Sequence, residues 1–132
     1  GGGSKIPISH EAIDKKLIYM KMKGREIFKN AVRTMARCAQ EALEHNKVSI
    51  DEVKWIVPHQ ANGRILEAVA KQLGAPFEKV IMAIETMGNT SAATVPVAFD
   101  VGVSQGKICR GDLVLLLAFG AGLTSGSILL RY

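Results

Sequence analysis

The chain has few of the residues that would point to metal binding, a disulfide framework or nucleic-acid stacking. It has two cysteines among 132 residues, Cys38 and Cys109. They lack metal-ligand spacing and are too few to staple a small fold, so both are expected to be free, reduced thiols and no metal site is expected. Aromatics are scarce, with one tryptophan, two tyrosines and four phenylalanines, and none interleaves with basic residues to form a base-stacking platform. Nucleic acid is therefore not an expected partner. No apolar run reaches the roughly eighteen residues of a membrane span, and no basic-then-apolar leader opens the sequence. A cytosolic location is the expectation, with no membrane partner.

What is present is enough apolar residue for one packed core, 48% of the chain, and a net charge of +5. The charge favours an acidic partner without choosing one. Gly1-Gly2-Gly3-Ser4 cannot hold regular structure and reads as an engineered linker scar or as a glycine loop exposed by cutting a longer protein, the latter being favoured. Residues 5 to 23 read as an extended lead-in and a short helix, with Ser9 as its N-cap. We therefore divide the chain into a linker and lead-in over 1–23 and one domain over 24–132.

Within that domain, Phe28, Ala31, Val32, Met35, Cys38, Ala39, Ala42 and Leu43 recur at helical spacing and predict a long amphipathic helix from Gly24 to about Asn46. Lys54 to Val57 reads as a strand stopped by Pro58, which places His59 at a strand's C-terminal end. A helix from Asn62 to Leu73 follows, ended by Gly74-Ala75-Pro76. Val80 to Ile84 is a nearly continuous apolar run, as expected of a parallel strand covered on both faces, and Asn89 follows it. Ala92 to Val101 has little polar face, so as a helix it would be buried all round and need more protein than this chain supplies. Leu113 to Phe119 reads as a buried strand, and the three-residue link Gly120-Ala121-Gly122 allows only an antiparallel return over Thr124 to Tyr132. The expected fold class is α/β: a mixed, mostly parallel sheet with an antiparallel last strand and helices on both faces.

His59 and Asn89 thus sit at two successive strand-to-helix turns, where polar side chains converge in such folds. An imidazole and a carboxamide can both donate hydrogen bonds to an oxygen that gains negative charge. A lone histidine is more often a cap or a satisfied core residue, and Asn89 at the same stage of the next unit favours function. Neither cysteine lies in a turn that would activate it, so the pair reads as half of an active site.

Three segments carry a resemblance. Val57-Pro58-His59-Gln60-Ala61-Asn62, Gly88-Asn89-Thr90-Ser91-Ala92-Ala93 and Ala118-Phe119-Gly120-Ala121-Gly122-Leu123-Thr124-Ser125-Gly126 resemble, in order and spacing, the C-terminal motifs of β-ketoacyl-acyl-carrier-protein synthase III, which initiates bacterial type II fatty acid synthesis. A histidine followed by an asparagine separates this class from the elongating condensing enzymes, which use two histidines. The resemblance runs from about Gly24 to Tyr132 and implies the C-terminal half of a thiolase-like fold. It implies an acyltransferase that condenses an acyl-CoA primer with malonyl-acyl-carrier protein. Its nucleophilic cysteine lies in an N-terminal half that this chain lacks, so the chain alone is expected to be inactive.

The resemblance further implies roles for particular residues. His59 and Asn89 are catalytic, Phe119 orients the histidine, and Ala121 stands where the family's main chain offers one N–H to an oxyanion. Many relatives have glycine at that position, and many carry tryptophan where this chain has Ser125. Gly24, Phe28 and Asn62 match positions along the pantetheine channel, although Phe28 is equally good as core. Arg64 is the closest match to a carrier-protein docking position, and the basic residues Lys29 and Lys71 flanking the His59 turn are expected to extend that surface, Arg64 and Lys71 sharing an outward helix face by their spacing of seven. No cofactor is implied, coenzyme A entering as the substrate thioester. The implied partners are acyl-CoA, acyl carrier protein, the N-terminal half and a second subunit in a homodimer. Two rivals remain: a related thiolase-like acyltransferase with another primer, and a non-catalytic module that binds acyl carriers.

Overall fold

The computed structural model describes residues 3–19 and 21–132, so Gly1 and Gly2 of the glycine-rich start lie outside the described residues. In the lead-in, α1 spans His10–Asp14, and Ser9 Oγ accepts the N–H of Ala12 at 3.1 Å as the expected N-cap. Helix α2 spans Gly24–Asn46. Its buried residues Ala31, Met35, Ala36, Cys38, Ala39 and Leu43 keep the helical period, while Arg25, Lys29, Arg33 and Arg37 are exposed. Phe28 departs from the expected stripe. It is 36% exposed, because the first turns of α2 run beyond the core and only Ile27 and Asn30 of residues 24–30 are even half-buried.

Strand β1 is Trp55–Pro58, α3 is Gly63–Leu73, α4 is Ile84–Met87, α5 is Thr94–Ser104, β2 is Leu113–Phe119 and β3 is Ser125–Arg131. The sheet order is β1-β2-β3. β1 runs parallel to β2, from Trp55 opposite Val114 to Pro58 opposite Leu117, and β3 returns antiparallel, from Phe119 opposite Ser125 to Leu113 opposite Arg131. Pro58 therefore closes the strand from within it. The terminal link is a tight turn in which the positive φ falls on Gly122 and Leu123.

The predicted strand over Val80 to Ile84 is corrected by the structure. Only Val80 makes a parallel bridge, to Ile56, with Ile81 N donating to Ile56 O at 2.9 Å; the chain then leaves the sheet and enters α4. The cause is a side chain. Gln60 Oε1 accepts the N–H groups of Ala83 at 2.9 Å and Ile84 at 3.1 Å, so those donors are satisfied without a ladder and the backbone is free to turn into a helix.

Strand alternation sorts the core into two layers. Ile56, Leu115 and Leu117 face α2 and α3, where they pack with Met35, Leu43, Leu66 and Val69. Val57 and Val114 face the other way and pack with Ala98 of α5, Ile81 and Ile108. Each large side chain so buried is worth about 1.5–3 kcal/mol relative to exposure, which makes the faces of the sheet the main source of stability. Helix α5 is less covered than its sequence demands. Thr94, Ala98 and Gly102 form its buried stripe, whereas Pro96 and Asp100 are exposed and four valines are only half-buried. Pro96 is tolerated because it is the third residue of α5, where its missing N–H would have had no intrahelical partner.

Candidate active site

The alternation along β1 continues past its end. Trp55 and Val57 face α5, so His59 projects to the same side, and its N–H extends the parallel ladder by donating to Leu117 O at 2.7 Å. There the imidazole Nδ1 is hydrogen-bonded to the hydroxyl of Thr94, the first residue of α5. Thr94 is fully buried and its hydroxyl donates to Ser91 O at 3.0 Å. Burial lowers the pKa of His59 from its ordinary value of 6.5, because the protonated ring loses hydration. The ring is therefore neutral at neutral pH.

The following residue braces this turn. Gln60 is 1% exposed and uses its whole hydrogen-bonding capacity, donating to Pro58 O at 2.8 Å and Ile81 O at 3.1 Å while accepting from Ala83 and Ile84. Gln60 lies inside the first motif and Thr94 directly after the second, and the sequence reading assigns neither a site role. The available signal was polarity: Thr94 is a polar residue at the head of an apolar helix, and Gln60 stands two residues beyond a strand end.

Asn89 lies after α4 in an Asx turn, its Oδ1 accepting the N–H of Ser91 at 3.0 Å. With the oxygen committed, the carboxamide NH₂ is the free end. His59, Asn89, Phe119 and Ala121 all line one open cavity of about 620 Å³, whose wall also includes Val95 and Ser125. The two motif turns and the β2–β3 turn are thus brought together. Ala121 keeps an ordinary φ, the left-handed positions being its neighbours Gly122 and Leu123, so alanine in place of glycine there carries no backbone strain.

Other sequence candidates lie elsewhere. Gly24, Phe28 and Asn62 are outside the cavity wall. Asn62 caps α3, its Oδ1 accepting the N–H of Arg64 at 3.0 Å. Lys29, Arg64 and Lys71 are exposed on α2 and α3, two helices that share the first core layer. Neither cysteine reaches the cavity wall: Cys38 is buried and donates to Ser125 Oγ at 3.2 Å, and Cys109 is exposed in a turn. Among the described residues no cluster of histidine, cysteine, aspartate and glutamate could hold a metal ion, and no helix is long and apolar enough to cross a membrane. Among the described residues the cavity wall therefore carries an imidazole, a carboxamide, main-chain groups and the hydroxyl residues Ser91, Thr124 and Ser125, and neither cysteine.

Comparison with known proteins places this geometry. The family described as 3-oxoacyl-[acyl-carrier-protein (ACP)] synthase III C terminal matches residues 43–132. The chain is 51% identical over 114 residues to a beta-ketoacyl-[acyl-carrier-protein] synthase III of Aquifex aeolicus, covering 86% of this chain and 37% of that protein. It is 46% identical over its full 132 residues to the synthase of the same description from Koribacter versatilis, of which it covers 40%. Among solved structures, the 3-oxoacyl-[acyl-carrier-protein] synthase III of Aquifex aeolicus superposes with a TM-score of 0.84 at 51% identity, over 86% of this chain and 37% of that one. The chain spans 35–40% of the length of the curated relatives it matches.

Proposed function

Because the chain belongs to the 3-oxoacyl-[acyl-carrier-protein] synthase III family through its C-terminal domain, we propose that it is the enolate-stabilising half of a decarboxylating acyltransferase. The thiolase-like fold and the family's condensing chemistry are its starting point. The observation that carries the reading is a cavity shared by His59 and Asn89 that neither Cys38 nor Cys109 lines. Hydrogen-bond donors line it and a cysteine thiol does not.

The chemistry requires both. A cysteine of the N-terminal half takes the acyl group of an acyl-CoA primer, releasing coenzyme A. Malonyl-acyl-carrier protein then enters, its carbon–carboxylate bond breaks, and the electron pair passes into the thioester as an enolate while carbon dioxide leaves. That step places negative charge on the thioester oxygen, and donors fixed at that oxygen stabilise the transition state more than the ground state. The Asn89 NH₂ and an N–H at His59 Nε2 are the donors. The enolate carbon attacks the acyl-cysteine carbonyl, whose developing oxyanion takes the Ala121 backbone N–H, and the thiolate leaves with the new carbon–carbon bond formed.

Around this centre Phe119 supports the imidazole, and Gly24, Phe28 and Asn62 at the N-terminal ends of α2 and α3 guide the pantetheine arm. The complete enzyme is a cytoplasmic homodimer of two-half subunits that needs no cofactor. In that enzyme His59→Ala and Asn89→Ala are each expected to lower malonyl decarboxylation by about 10²–10³-fold while acyl transfer to the cysteine continues. A variant that decarboxylates malonyl-acyl-carrier protein at the wild-type rate removes its residue from the enolate step. The 132-residue chain alone is expected to take no label from acyl-CoA, and product formation with acylated Cys38 or Cys109 would overturn the two-half reading.

A further inference from the structure

The two donors assigned to the enolate are anchored unequally. His59 is pinned by its own backbone, whose N–H donates to Leu117 O at 2.7 Å and extends the β1–β2 ladder. Asn89 has no such rung. The parallel bridge from Val80 to Ile56 ends with Ile81 N on Ile56 O, and the chain then leaves the sheet. Past that rung, and among the described residues, the hydrogen bonds that join the His59 turn to residues 82–89 all come from one side chain, Gln60.

The Gln60 carboxamide can sit only one way round. Its oxygen accepts the N–H groups of Ala83 and Ile84, the N-cap and first residue of α4, and neither donor has a backbone acceptor among the described residues. Exchanging its oxygen and nitrogen would set an NH₂ against those two N–H groups and a bare oxygen against Pro58 O and Ile81 O. Helix α4 carries the constraint forward. It is a single turn, closed by Met87 N on Ala83 O at 2.8 Å and Gly88 N on Ile84 O at 3.0 Å, and Asn89 follows directly. Holding the start of so short a helix holds its end.

We propose that Gln60 is a positioning residue for the condensation, setting where the Asn89 carboxamide stands relative to the His59 ring. The proposal rests on the enolate reading of that pair. Gln60 does not line the cavity, so it acts through Asn89 and touches no reacting atom. A brace that served stability alone would affect both half-reactions alike. One that places a donor acts on decarboxylation only, where a misplacement of about 1 Å costs up to about 10²-fold.

The test is a double-mutant cycle in the full-length enzyme, with decarboxylation of malonyl-acyl-carrier protein counted per subunit that takes acyl label from acyl-CoA, so that unfolded enzyme drops out. Gln60→Met keeps the length of the side chain and removes all four of its hydrogen bonds. It is expected to lower kcat for decarboxylation by about ten- to hundredfold at an unchanged KM. In an Asn89→Ala background the same change is expected to cost almost nothing further, because the donor it misplaces is already gone. Equal losses in the two backgrounds overturn the inference, and so does a wild-type rate per labelled Gln60→Met subunit. An Asn89→Ala enzyme that decarboxylates at the wild-type rate refutes the enolate reading and the inference with it, so the two failures are told apart. If the methionine variant takes no acyl label, Gln60→Asn, which keeps the carboxamide and withdraws it by one methylene, runs the same cycle with the same outcomes.

Discussion

The Gln60 side-chain oxygen accepts the Ala83 backbone N–H at 2.9 Å, so the turn that carries His59 and the segment that leads to Asn89 are joined by one buried carboxamide. The same side chain donates to Pro58 O and Ile81 O. A leucine of similar size would orphan these backbone groups, and each buried group left unpaired costs about 1–3 kcal/mol. Gln60→Leu is expected to lower the unfolding free energy by more than about 3 kcal/mol, read from denaturant titration. A loss under about 1 kcal/mol would mean that backbone or water replaces the bonds and that Gln60 is no brace.

Burial lowers the pKa of His59, so the folded chain holds its proton more weakly than the unfolded one. In the window between the lowered folded value and the ordinary 6.5, the unfolded state binds more protons, and stability rises with pH. Acidification through that window is expected to destabilise the chain, the loss levelling off below the folded value. His59→Phe should flatten this part of the profile. A wild-type midpoint that stays constant or rises as the pH falls through the window contradicts the assignment, once the exposed His10 and His45 are replaced by glutamine.

Gly102 lets α5 lie against Ile108 and Ile81 with no room for a side chain between them. A Cβ there would lie 2.6 Å from Ile108 Cδ1, 3.0 Å from Ile108 Cγ1 and 3.3 Å from Ile81 Cδ1. Alanine would gain about 1 kcal/mol of helix propensity, but overpacking costs about 1–3 kcal/mol. Gly102→Ala is therefore expected to be neutral to destabilising alone and stabilising in a background of Ile108→Val, which opens the space. Equal effects of Gly102→Ala in both backgrounds would show that the contact is relieved elsewhere.

Long-period patterns made much of the fold legible. Helix α2 spans the expected Gly24–Asn46 because a stripe repeated over about four turns has few competing readings, and the β2–β3 return follows from a link too short for anything else. The failure at Val80 to Ile84 has a local cause: five apolar residues satisfy a strand, a buried loop or a helix start equally well. The decision fell to Gln60, twenty or more residues away, which took the N–H groups a ladder would have used. Phe28 was read into the stripe because period says which face a residue occupies and nothing about where the core ends. At the site, the ends of two apolar runs pointed to His59 and Asn89 and the resemblance added their roles, whereas the His59–Thr94 contact joins residues 35 apart and becomes visible only when β1 and α5 pack.

Arg64 is the second residue of α3, where the positive end of the helix dipole disfavours a cation by about 0.3–1 kcal/mol. Lys29 and Lys71 are also exposed, and among the described residues no salt bridge engages any of the three. Arg25, Lys29, Arg33 and Arg37 add like-charge neighbours every fourth position of α2, each pair costing about 0.2–0.5 kcal/mol. These small penalties are what a solvated basic face carries, and an acidic carrier protein would use the same face for steering. Arg64→Glu separates the two. A carboxylate in the first turn of α3 complements the dipole, so the variant is expected to be at least as stable as wild type. In the full-length enzyme it should nonetheless lose turnover with malonyl-acyl-carrier protein far more than acylation from free acyl-CoA. The wild-type carrier reaction should also weaken with salt, as screening shortens the reach of the charges to about 8 Å at 0.15 M. Equal losses in the two half-reactions, or carrier binding that ignores salt, would leave Arg64 as surface only.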